Sequence, residues 1–97
     1  RAHFDAYTHE PPRITDVAAK VRRKRVFVTF RLSKISTVTV SSTRRGRAAG
    51  VSKAIVGHGK RRFSFKRPKR KGLYSVSVVA VDLAGNRETV SAKLRVR

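Results

Sequence analysis

Three places in this chain carry residue types that could do chemistry. Asp82, Asn86 and Glu88 fall at spacings of four and two within "DLAGNRE", an oxygen pattern loosely like a calcium loop. Calcium, however, takes roughly six to eight oxygens. Asp and Asn in a turn bond their own backbone, and Gly85 supplies a positive φ cheaply. The segment therefore reads as a connector between strands. His3, Asp5, His9 and Glu10 lie near the N-terminus, but their spacing fits no compact tetrahedral metal site. His58 sits between Gly57 and Gly59 with no recognisable Ser or Asp partner for nucleophilic catalysis. There is no phosphate-binding loop, paired-carboxylate or dinucleotide motif. The expectation is a protein that is not an enzyme and has no cofactor and no metal.

Charge is the outstanding property. Twenty-five Lys and Arg face five Asp and Glu, a formal net charge of +20. Self-repulsion at that charge opposes compaction, whereas attraction to polyanions is strong and salt-sensitive. GC-rich coding favours Arg without functional demand, yet nine of the basic residues are Lys, which that bias does not favour. The hydrophobic fraction, 39%, is too high for a compositionally disordered chain. Ninety-seven residues suffice for one domain with a real core. No apolar run approaches the roughly 20 residues of a membrane-spanning helix. Without cysteine there are no disulfides or thiolate sites.

The elements that hold these residues read as strands. Residues 1–12, "RAHFDAYTHEPP", show no period and end in Pro11-Pro12, as a linker or arm does. From 13 to 97, strand signals recur every 8–12 residues or so, the rhythm of a sandwich. They cover 13–21, 25–33, 37–42, 49–57 (weaker, expected bulged or short), 61–67, 73–81 and 89–97. Alternation directs Val26, Val28, Phe30 and Leu32 to one face and Arg25, Phe27, Thr29 and Arg31 to the other. Val38 and Val40, Phe63 and Phe65, then Tyr74, Val76, Val78 and Ala80, and finally Val90, Ala92, Leu94 and Val96 form the other inward sets. No segment has a helical period, so the expectation is an all-β, seven-stranded antiparallel sandwich.

The segment "GLYSVSVVAVDLAGN" makes this more specific. Gly72, Tyr74, Val76, Val78, Ala80, Asp82, Ala84, Gly85 and Asn86, followed by a last alternating strand, resemble bacterial immunoglobulin-like and fibronectin type III-like domains. "VFVTFRLSKISTVTV" (26–40) looks like the paired second and third strands of those modules. The resemblance spans about 13–97 and implies a secreted or cell-surface bacterial accessory module, part of a larger processed protein. It also gives Tyr74 a structural role, its hydroxyl bonding nearby backbone as a tyrosine corner.

If consecutive strands alternate in direction, the first, third and fifth connections share one end of the sandwich. Those connections hold Arg22, Arg23, Lys24 and Arg25; Arg44, Arg45 and Arg47; and Lys66, Arg67, Lys69, Arg70 and Lys71. Arg95 and Arg97 finish at the same end, which makes fourteen of the twenty-five basic residues, while "KRR" at 60–62 falls outside the set. The twelve loop residues are the expected polyanion-binding site, and three converging loops raise them above an ordinary solvated charge run. The leading expectation is an adhesion or assembly module whose basic pole contacts an anionic polysaccharide, another cell-envelope polymer, or an acidic neighbouring domain or subunit. Self-association through the N-terminal arm, by strand addition to an open edge, is a variant. The alternative is non-specific nucleic-acid binding in an intracellular or phage-associated protein. A recognition helix is lacking, and most aromatics face inward.

Overall fold

The computed structural model describes residues 11–97. The N-terminal candidates His3, Asp5, His9 and Glu10, and most of the proposed arm, lie outside the described residues. Seven strands follow one another: β1 (Ile14–Arg22), β2 (Arg25–Leu32), β3 (Ser36–Arg44), β4 (Arg47–Val56), β5 (Gly59–Lys66), β6 (Gly72–Asp82) and β7 (Arg87–Val96). They form two antiparallel sheets, ordered β1-β2-β5 and β4-β3-β6-β7. No helix occurs among the described residues.

β-Branched and aromatic residues at every second position explain why these segments are strands. The inward positions meet between the sheets. Val26, Val28, Phe30, Val38, Val40, Val76, Val78 and Ala80 are essentially inaccessible to water, with Phe63, Phe65, Tyr74, Leu94 and Val96 completing the core. Each large side chain so buried stabilises the fold by about 1.5–3 kcal/mol before chain entropy is counted. Phe30 and Phe63 stack across β2 and β5 with ring centroids 5.7 Å apart. Val90, expected inward, is only partly buried but packs against this cluster.

The fourth strand departs from expectation in length. It is ten residues long, and the register shift at Ser42/Thr43 leaves Ala49 as an extra residue on its side of the β3–β4 pair. Pro12 is fully buried, and just beyond it Arg13 and Ser33 exchange hydrogen bonds, fastening the start of β1 to the β2–β3 connection.

Connections alternate between the two ends. Loops 23–24, 45–46 and 67–71 lie at one end, whereas 33–35, 57–58 and 83–86 lie at the other. Arg45 and Gly46 both have positive φ (52° and 79°), as a two-residue hairpin with the right-handed strand twist requires.

Candidate anion-binding surface

The three basic connections are joined physically. The Arg67 amide donates to the Lys24 carbonyl at 2.9 Å, and the Arg67 guanidinium donates to the carbonyls of Arg23 and Arg97. That unites the first connection, the fifth and the C-terminus. The Arg44 side chain lies against the backbone of Gly72, where a Cβ would come within 2.7 Å of its Nε. A glycine there, at φ 141°, lets the third connection approach the fifth. Arg44, Arg47, Lys69 and Arg70 line one depression beside Tyr74, and Lys71, Arg95 and Arg97 line another. Arg45 and Lys66 belong to the same tip, at the β3–β4 turn and the end of β5. The tyrosine corner contributes directly, because the Tyr74 hydroxyl donates to the Arg70 carbonyl at 2.7 Å and fixes the 67–71 loop.

The opposite end is built around one carboxylate. Asp82 accepts from the amides of Ala84 and Asn86, from Asn86 Nδ2 and from Lys34 Nζ, at 2.8–3.0 Å. Its oxygens therefore hold the β6–β7 turn and tie it to the β2–β3 connection. Burial by itself would raise the Asp82 pKa. The hydrogen bonds from the Asn86 side chain, Lys34 and the Asn86 backbone, with the Lys34 charge, outweigh burial and hold it at about 2, below its usual 3.8. The backbone carbonyls of Gly57 and His58 accept from the Arg61 guanidinium, in the neighbouring turn. Asp82 and Glu88 thus stand away from the basic tip.

A second basic surface escaped the sequence reading. On the outer face of the three-stranded sheet, Lys20 lies opposite Phe27, which lies opposite Ser64; one row further along, Ala18, Thr29 and Arg62 align. Arg22, Arg25 and Lys66 form the next row toward the tip. Lys20, Arg22, Arg25, Thr29 and Arg62, together with Arg23 and Lys24, surround an open groove of about 770 Å³ that Phe27 also lines. Lys20, Phe27 and Arg62 were outside the expected site. The signal was half present, since alternation put Phe27 and Thr29 outward with Arg25 and Arg31, but the cross-strand partners were not visible.

The chain matches no protein-family model and no curated protein. Its fold is similar to part of wild-type OgpA from Akkermansia muciniphila, seen in a crystal structure, with a TM-score of 0.67 and 14% identity over 89% of this chain. The match covers 28% of the OgpA chain, so this sandwich spans under a third of that protein's length. At that identity the likeness concerns fold.

Proposed function

We propose that this chain is a non-catalytic polyanion-binding module of a longer secreted or surface protein, related to bacterial immunoglobulin-like domains. Its basic tip contacts an anionic surface polymer or an acidic neighbouring subunit. The observation that carries the reading is the fastening of loops 23–24, 45–46 and 67–71 into one tip by Arg67 and Arg44. Cations held together on a rigid scaffold focus a field that scattered charges do not.

The test is a titration with heparin over a range of salt. Replacing Arg44, Arg45 and Arg47 with Ser should weaken binding and flatten its salt dependence, because fewer counter-ions are exchanged. The melting temperature should fall only slightly, since Arg45 and Arg47 are exposed and Arg44 is a strand-end residue outside the core. A control removes three exposed cations elsewhere, Arg13, Lys53 and Arg87. Equal weakening by both triple variants would refute the tip as the contact.

A further inference from the structure

We infer that the outer face of the three-stranded sheet binds an unpaired nucleic-acid strand, with one base stacked on the Arg62–Phe27 pair and its phosphates on the cations around it. The groove shares Arg22, Arg23, Lys24 and Arg25 with the tip, but the stacking pair Arg62–Phe27 lies outside it, and the inference rests on that pair rather than on the tip reading. The Arg62 guanidinium carbon stands 5.2 Å from the centre of the Phe27 ring. Phe27 is half-buried and Arg62, over its ring, is exposed, so the pair is accessible from solvent. Bases stack on guanidinium planes and on aromatic rings alike. Arg25, on the tip side of Phe27, is pinned across the sheet by two hydrogen bonds to Ser64 Oγ, at 3.1 and 3.3 Å. Lys20 flanks the ring from β1.

The donor set favours this ligand over an uncharged or sparsely charged sugar polymer. Sugar hydroxyls need acceptors as well as donors, and the groove offers no carboxylate and no amide side chain. Its hydroxyl is that of Thr29, and Ser64 already accepts from Arg25. What remains is positive charge beside a flat π-face, the combination that tracks a single strand. A duplex hides its base faces and offers phosphates alone.

The decisive variant keeps the charge and removes the plane. Arg62→Lys, with Phe27→Leu as a second variant, is compared with the unaltered chain by fluorescence anisotropy against labelled oligothymidylate, a duplex of similar charge, and heparin. The expected result is a loss of roughly tenfold for oligothymidylate in both variants, the worth of one stacked base, with duplex and heparin binding unchanged. Phe27→Tyr should restore single-strand affinity. If Arg62→Lys leaves oligothymidylate binding intact, or weakens all three ligands equally, the inference is overturned. So it is if the unaltered chain binds the duplex as tightly as the single strand. The tip triple variant, run alongside, reports on the tip alone: its effect on heparin decides that reading whichever way the Arg62 result falls.

Discussion

Replacing Asp82 with Asn tests how the far end of the sandwich is held. The carboxylate's proton affinity falls from an ordinary pKa of 3.8 to about 2 in the folded chain. At about 1.4 kcal/mol for each tenfold change, that amounts to about 2 kcal/mol of stability. The Asp82 side chain is 4% exposed and its partner Lys34 12%, so solvent screens little of it. A depressed carboxylate stabilises the fold fully above its unfolded pKa. The contribution therefore holds at pH 5 and above, declines between about pH 4 and pH 2, and vanishes below. The amide of the Asp82→Asn variant cannot titrate, and the substitution takes a counter-charge away from the Lys34 ammonium, which costs about 3 kcal/mol or more at pH 7. That is a large share of the roughly 5–15 kcal/mol that stabilises a small domain. Urea unfolding followed by far-ultraviolet circular dichroism, on both proteins from pH 7 to pH 2, gives the difference directly. The gap should narrow by about 2 kcal/mol between pH 5 and pH 2 as the unaltered protein alone loses its contribution. A gap that stays constant over this range, or no gap at pH 7, would refute the account.

Two further substitutions test the packing that supports the tip. Gly50→Ala places a methyl 2.6 Å from the Phe65 ring, so it should destabilise by about 1–3 kcal/mol in chemical denaturation. Tyr74→Phe removes the donor to the Arg70 carbonyl and should cost about 1 kcal/mol in the same assay, with faster amide exchange in residues 67–71.

Sequence and structure agree where one strand's own pattern decides the outcome. The alternation of Val26, Val28, Phe30 and Leu32, or of Tyr74, Val76, Val78 and Ala80, needs no knowledge of neighbours, and all eight are buried. The common tip followed from direction alone, since each hairpin or crossover reverses the chain. Asp82 was legible as a turn residue because its partners Ala84 and Asn86 are local. Its ion pair with Lys34 was not, because only the sandwich brings the β2–β3 and β6–β7 connections together. The Phe27 groove was hidden for the same reason. Register set Lys20 and Ser64 beside Phe27, and no local spacing announces a register.

The middle strands of the larger sheet show a different outer side. Thr37, Thr39, Ser41 and Thr43 on β3 alternate with the buried set, as do Leu73, Ser75, Ser77, Val79 and Val81 on β6. None of these nine bears a charge, in a molecule of formal net charge +20. Repulsion between two copies is consequently lopsided, harsh when tips meet and mild when these flanks do, with a range of about 8 Å at physiological ionic strength. Copies crowded together therefore come closest flank to flank, like bristles in a brush, and dissolved salt sets how densely they stand.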